Sequence, residues 1–301
     1  MITNGTSRIE WPTVALIAGC YAAWFALVGL GAGMPAMVWV VITGFVTALY
    51  WSIVHEAVHG HPTQSRLINH ALVWLPLGWV YAHGRFSDGH LEHHATGALT
   101  DPFDDPESWY LAQHDWAATQ PLAAMLLTFN NTLLGRLLIG PMVVLWRMLR
   151  DDTRQVLRGG EKAKSVAMAW FWHLPPVLVL ALIVGMITDV ALWQFIAAAY
   201  IGVALILIRT FLEHQASEND GERTVIIESN GPMAWLFLYN SLHIVHHTRP
   251  GLAWYRLHGF YRQHRDQFIQ INNGYVYPSY WAVFKKHFLV PKEAVRHPFV
   301  T

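Results

Sequence analysis

Four long apolar stretches constrain this sequence more than any other feature. They cover residues 12–30, 35–54, 165–187 and 190–212. Each is close to the roughly 20 residues that a helix needs to cross a bilayer. Charged residues make up only 13% of the chain, about half the share that is usual in a soluble domain. The sequence therefore predicts an all-α integral membrane protein with four transmembrane helices in two hairpins.

The distribution of lysine and arginine predicts which parts of the chain lie on which side. Neither tight loop, at 31–34 or at 188–189, contains Lys or Arg. By the positive-inside rule, both termini and the central loop are then cytoplasmic. We expect residues 1–301 to form a single membrane domain, in which 55–164 and 213–301 build a cytoplasmic helical cap.

Two further apolar stretches are interrupted by residues that do not suit a membrane span. Residues 67–81 contain Pro76, and residues 121–149 contain Arg136. Backbone that faces lipid must satisfy its own hydrogen bonds, so broken stretches of this kind are typical of interfacial or re-entrant helices. A third transmembrane hairpin is the alternative.

Histidine is the unusual residue of this chain, with 18 in 301 residues. Three motifs space histidines so that they share one face of a helix. The first motif is His55 and His59, which follow the second predicted span. His214 belongs to no motif and directly follows the fourth span. The other two motifs repeat the spacing i, i+3, i+4: they are His90, His93 and His94 in the central loop, and His243, His246 and His247 near the C-terminus.

The predicted topology delivers all nine of these histidines to the cytoplasmic side, which indicates a metal site. Neutral imidazole suits Zn, Cu, Fe and Ni, and one zinc needs only about three or four ligands. Nine ligands suit two ions, and two redox-active irons could activate O₂ and remove hydrogen from an alkyl chain. A zinc hydrolase that uses Glu56 as a general base would leave most of the histidines unexplained.

A metal transporter is the alternative from a different functional class, and a non-catalytic metal-binding module is another. Transporters place ionisable ligands near the bilayer midplane. The histidines of this chain lie beyond the ends of the predicted spans and in the cap, which favours an enzyme.

Metal-bound imidazoles need a partner for their second ring nitrogen. His61, Asp101 and Asn240 are the candidates for these supporting contacts, and a role as a metal ligand is the alternative for His61. Asp105 and Glu213 are among the other acidic residues near the motifs. We predict no catalytic side chain beyond the metal ligands themselves.

The motifs of this chain are His55-x-x-x-His59, His90-x-x-His93-His94 and His243-x-x-His246-His247. In order, spacing and placement they resemble the three histidine boxes of the membrane fatty acid desaturase superfamily. That superfamily also includes carotenoid ketolases and hydroxylases, and alkane monooxygenases. We refer to the motifs as boxes one, two and three.

The resemblance implies a di-iron site, O₂ as co-substrate and a helical bundle with a cytoplasmic cap. His214 occupies the place of a histidine that members resembling stearoyl-type desaturases also use. The segment from His93 through Asp101 to Tyr110 is similar to bacterial acyl desaturases. We therefore expect the protein to lie in a bacterial inner membrane.

The expected function is O₂-dependent oxidation of unactivated C–H bonds in a lipid substrate. Fatty acyl desaturation is the leading reaction, and hydroxylation or ketolation of a lipid, carotenoid or alkane is the alternative. The choice depends on substrate placement, which sequence does not determine. The spacing of box one differs from that of acyl-CoA desaturases, so the acyl carrier stays open.

The two irons are the only cofactors expected. The sequence contains neither the His-Pro-Gly-Gly haem motif of a fused cytochrome b5 nor a GxGxxG nucleotide fingerprint, so we expect no bound haem, flavin or NAD. The single cysteine, Cys20, cannot form an iron–sulfur or rubredoxin site. Electrons should come from a separate donor of ferredoxin, rubredoxin or cytochrome b5 type with its reductase.

Two basic surfaces are candidate docking sites for that donor. One lies within 147–164, and the other consists of Lys285, Lys286, Lys292 and Arg296. Both could equally mark the membrane interface. No basic run of the nucleic-acid-binding kind occurs, so we expect no nucleic acid partner.

Overall fold

The computed structural model describes residues 9–301. It is mostly helical and divides the chain into two compact units. The first unit contains the described part of Met1–Ser87 together with Val156–Val203, and the second contains Asp88–Gln155 with Ala204–Thr301. The interpretation of 1–301 as a single membrane domain stays a prediction.

Four helices among the described residues are long and apolar enough to cross a membrane. They are α1 (Trp11–Leu30), α2 (Ala36–Val58), α9 (Gly160–Ile187) and α10 (Leu192–Thr210). The prediction of four spans is therefore confirmed. Helix α9 leaves Phe171, Leu182 and Met186 more than half exposed, which is typical of a surface that faces lipid.

The boundaries of the spans differ from the prediction most at the end of α2 and at the start of α9. Helix α2 continues past residue 54 to Val58, because the residues after the apolar stretch keep helical geometry. His55 therefore lies in the last turn of α2, and His59 is its C-cap, whereas the sequence placed both after the span. Helix α9 begins at Gly160 rather than at residue 165.

Close backbone contacts hold the helices of the first unit together. A 3₁₀ turn, Gly31–Gly33, joins α1 to α2. A Cβ atom at Gly44 of α2 would lie 2.5 Å from the Ile201 side chain, and one at Gly202 of α10 would lie 2.7 Å from the Thr47 side chain. Glycine at both positions allows α2 and α10 to pack backbone against backbone, as small residues do between membrane helices.

The two interrupted apolar stretches form shorter elements. They contain α3 (Arg66–Leu72), α6 (Pro121–Asn130), α7 (Leu133–Leu138) and the start of α8 (Gly140–Arg158). None of these is a candidate span within residues 9–301, so a third transmembrane hairpin is not supported. Helix α8 exposes Met142 and Trp146 and carries four arginines, which is typical of an amphipathic helix. Its interfacial location stays a prediction.

The remaining elements are mostly short, and α13 is the longest of them. The helices are α4 (His83–Ala95), α5 (Gln113–Ala117), α11 (Pro232–Leu236), α12 (His243–Thr248), α13 (Trp254–Ile271) and α14 (Tyr280–His287), and Asp220–Arg223 is a 3₁₀ turn. Strand β1 (Ile226–Ile227) pairs in parallel with β2 (Val276–Tyr277).

A hydrophobic core in the second unit surrounds the end of α10. Phe211 packs with Leu133 of α7, Phe237, Tyr280 of α14 and Val283, all of them buried. Burial of these large side chains stabilises the segment that follows α10, which includes His214.

Candidate metal centre

Box two lies on α4, where its spacing gathers three rings on one helical face. His90 and His93 are buried, and His94 is half-buried. The ring centroid of His94 lies 4.7 Å from that of His90 and 5.6 Å from that of His93. The sequence predicted that the three rings share one helical face, and α4 places them there.

Box three lies on the short helix α12, which follows an unusual turn. Leu238 and Tyr239 have φ angles of 50° and 59°, in the left-handed region that non-glycine residues seldom adopt. Such strain persists where surrounding structure enforces it, often at functional sites. The turn leads to Asn240, whose Oδ1 lies 3.2 Å from His243 Nδ1.

Four imidazoles converge in the second unit, two of them from box three. His93, His214, His243 and His247 each offer one ring nitrogen, and these nitrogens lie within 4.8 Å of one another. The Nε2 atom of His214 is 3.1 Å from that of His93 and 3.2 Å from that of His243. We call these four residues the His214 cluster.

The spacing within the His214 cluster fits ligands of a single ion. Two nitrogens that each lie about 2.1 Å from one metal are about 3.0 Å apart at a right angle and about 3.4 Å apart at a tetrahedral angle. The Nε2 atoms of His243 and His247 are also 3.1 Å apart. Nitrogens aimed at one another in this way fit a shared cation better than a network of hydrogen bonds.

The other box histidines fall into two groups. In the second unit, the Nε2 atoms of His94 and His246 are 3.0 Å apart, and the ring of His90 is stacked 6.2 Å from that of His246. In the first unit, the ring centroids of His55 and His59 lie 4.8 Å apart.

The outward-facing nitrogens of box two are held by carboxylates. Asp105 Oδ1 lies 2.7 Å from His93 Nδ1, and Glu107 Oε1 lies 2.8 Å from His90 Nδ1. Because an ionised carboxylate only accepts hydrogen bonds, each ring donates from Nδ1, which leaves Nε2 as the nitrogen that can bind a metal. This arrangement is typical of metal-bound histidine.

Burial keeps His214, His243 and His247 of the cluster largely in the neutral form that binds metals. Burial and the ring of His93 lower the pKa of His214 well below its usual value. Burial and neighbouring imidazoles do the same to the pKa values of His243 and His247. The donor set therefore suits a cation that prefers neutral nitrogen ligands.

Comparison with known families agrees with the site. A family model described as fatty acid desaturase matches residues 32–279. The chain belongs to the fatty acid desaturase family. No curated protein matches it. The match spans all three boxes and His214, which confirms the resemblance seen in the sequence and places this desaturase-family protein among membrane oxidoreductases.

The three predicted supporting residues have different surroundings. Asn240 contacts His243, as described above. His61 is buried, and its Nδ1 lies 2.9 Å from the nearer carboxylate oxygen of Glu10. Asp101 accepts hydrogen bonds from the backbone amides of Phe103 and Asp104, at 2.8 Å and 3.1 Å, and so stabilises the turn before Asp105.

Sequence reasoning missed Glu107 as a partner of box two. The only signal was a run of acidic residues after the box, and it did not show which of them turns back towards the rings. The expected basic patch also needs correction at Lys292. Its side chain is only 7% exposed and donates a hydrogen bond of 2.6 Å to the His214 carbonyl, so Lys292 supports the site and is not part of an exposed surface.

Proposed function

We propose that this desaturase-family protein oxidises unactivated C–H bonds of a lipid with O₂, and that fatty acyl desaturation is its reaction. The observation that carries the proposal is the His214 cluster, in which Nε2 atoms from three separate parts of the sequence lie 3.1 to 3.2 Å apart. This cluster occurs in a chain whose family is known for histidine-bound non-haem iron.

The nine histidines divide between two irons in this proposal. The His214 cluster would hold one ion. On the box pattern we assign the other ion to the remaining residues, which are His55, His59, His90, His94 and His246. When bound, the irons supply the redox chemistry that activates O₂ for removal of hydrogen from an alkyl carbon.

The protein itself contributes orientation and charge. Asp105 and Asn240 hold the Nδ1 atoms of His93 and His243, so that these rings keep Nε2 directed into the His214 cluster. Glu107 fixes the ring of His90 in the same way. Burial keeps the imidazoles of His214, His243 and His247 neutral, and it limits the access of water to the ligand nitrogens.

The remaining partners follow from the same proposal. The substrate is a lipid or fatty acyl chain in the membrane, and electrons come from a separate donor of ferredoxin, rubredoxin or cytochrome b5 type with its reductase. The absence of Lys and Arg from the loops 31–34 and 188–189 supports a cytoplasmic site. We propose a bacterial inner membrane as the location.

Expression of the chain in a host, followed by mass spectrometry of the host lipids, tests the reaction. Desaturation should give acyl chains lighter by two hydrogen atoms. Chains heavier by one oxygen atom would instead establish a hydroxylase. A His243→Ala variant is the control, because it removes one ligand of the His214 cluster.

Elemental analysis of the purified protein tests the metal. We expect about two irons per chain after anaerobic iron loading, with activity that depends on iron. Zinc alone, with no iron uptake and unchanged host lipids, would contradict the proposal.

A further inference from the structure

A five-residue segment after box two carries both carboxylates that contact the box-two rings. Asp105 lies 2.7 Å from His93, and Glu107 lies 2.8 Å from His90. The two carboxylates are only two residues apart in the chain. The orientation of both rings therefore depends on where segment 105–109 lies.

Two arginines from other helices hold the far end of this segment. Arg147 of α8 donates a hydrogen bond of 2.7 Å from Nη2 to the Ser108 carbonyl. The guanidinium carbons of Arg136 and Arg147 lie 3.7 Å and 5.2 Å from the centroid of the Trp109 ring. Cations within about 6 Å of an indole face are attracted by its quadrupole. Ser108 and Trp109 thus have contacts that resist displacement of the segment.

Arg136 is buried against Trp109, which is an unusual environment for a charged side chain. Only 1% of Arg136 is exposed. Burial and the charge of Arg147 lower the pKa of Arg136 to about 9. Its Nε donates to the Asn130 carbonyl at 3.0 Å, but its Nη1 has no hydrogen-bond partner within residues 9–301. Burying such a group is costly, and an apolar side chain would avoid the cost but lose the electrostatic contact with the ring.

We propose that Arg136 and Arg147 are positioning residues of the metal centre. Through Trp109 and the neighbouring carbonyl they hold segment 105–109, and through its carboxylates they hold two rings of box two. The inference rests on the proposed function, because it takes the box histidines to be metal ligands. It predicts that side chains outside the histidine cluster control how tightly the protein binds iron.

Iron binding by the full-length protein in detergent tests the role of Arg147. Arg147→Met keeps an unbranched apolar side chain similar to the arginine stem and removes both the hydrogen bond and the cation. We expect the Fe(II) dissociation constant to rise about ten-fold, at the lower end of the effect of outer partners of metal ligands. Arg150→Met is the matched control on α8, since Arg150 pairs with the exposed Asp151 and should leave iron affinity unchanged.

A second pair of variants separates positioning from folding. Trp109→Phe keeps a ring face for the cations and should bind iron nearly as the wild type does. Trp109→Leu loses the ring face and should weaken iron binding and alter the iron Mössbauer spectrum, while circular dichroism shows an unchanged helical content. Arg147→Met combined with Glu107→Gln should lose less affinity than the two single losses together, because both changes act through one segment.

The outcomes distinguish this inference from the proposed function. If the wild type binds iron and oxidises lipid, but both Arg147→Met and Trp109→Leu bind iron as tightly, the positioning role is overturned and the proposed function stands. If the wild type binds no iron and leaves lipids unchanged, the proposed function fails and the inference fails with it.

Discussion

Boxes two and three share one sequence spacing, but the side chains that support their rings through Nδ1 differ. In box two, His93 donates to the Asp105 carboxylate at 2.7 Å, and a second carboxylate holds the other buried ring. In box three, His243 donates to the neutral amide of Asn240 at 3.2 Å, and the Glu213 carboxylate lies farther away, at 3.6 Å. The shared motif places the rings, whereas residues outside the motif decide their electrostatic environment.

The pKa values of His93 and His243 reflect these different partners. Burial lowers the pKa of His93, but the Glu107 and Asp105 carboxylates outweigh burial and raise it to about 9. Burial and the ring of His247 lower the pKa of His243 well below its usual value. A ring that donates to a carboxylate is a more basic metal ligand. We therefore expect His93 to contribute more to the affinity for the ion of the His214 cluster than His243 does.

Removal of His214 should have the largest effect, because its Nε2 faces both His93 and His243. We expect His214→Ala to be folded, depleted of iron and almost inactive. Elemental analysis and lipid mass spectrometry measure both losses. His114→Ala is the control, since the His114 side chain is 64% exposed. Near-normal iron and activity in His214→Ala would show that His214 is not a metal ligand alongside His93 and His243.

Removal of Arg209 should have the next largest effect, on stability. Arg209 Nε lies 3.0 Å from Glu213 Oε1, and both side chains are less than a tenth exposed. Arg209→Met leaves the Glu213 charge buried and should lower the free energy of unfolding by about 3–5 kcal/mol. Arg209→Met with Glu213→Gln should recover much of that loss, as measured by denaturant unfolding in detergent.

The result for Arg209 sharpens the comparison between the boxes. If the single variant is as stable as the wild type, the Glu213 charge is not compensated by Arg209. Box three would then have an anionic support like that of box two. The exposed pair of Arg150 and Asp151 is the reference, because exposed ion pairs contribute only about 0–1 kcal/mol.

The supports themselves should have the smallest and most discriminating effects. Asp105→Ala should weaken iron binding by about 10–100-fold, as expected for a carboxylate partner of a metal ligand. Asn240→Ala removes a longer and neutral hydrogen bond, so its loss should stay below about ten-fold. Competition with a chelator measures both. Equal losses in the two variants would mean that the charge of the support does not matter.

Much of the fold and site could be predicted because the signals are local in sequence. The four spans follow from the length of the apolar runs, and the gathering of rings in boxes two and three follows from helical spacing. His214 was predicted from its position after the fourth span, and the structure places its ring between those of His93 and His243. Asn240 lies three residues before His243, and that proximity also made its contact predictable.

Only the tertiary structure decided which groups support the ligands. Asp101 and Glu107 are both acidic residues shortly after box two, yet the turn directs the first to backbone amides and the second to His90. The hydrogen bond from Lys292 to the His214 carbonyl joins residues 78 apart in the sequence, and no spacing pattern predicts it. Spacing determines contacts within a helix, whereas contacts between distant segments depend on how loops fold and which side chains become buried together.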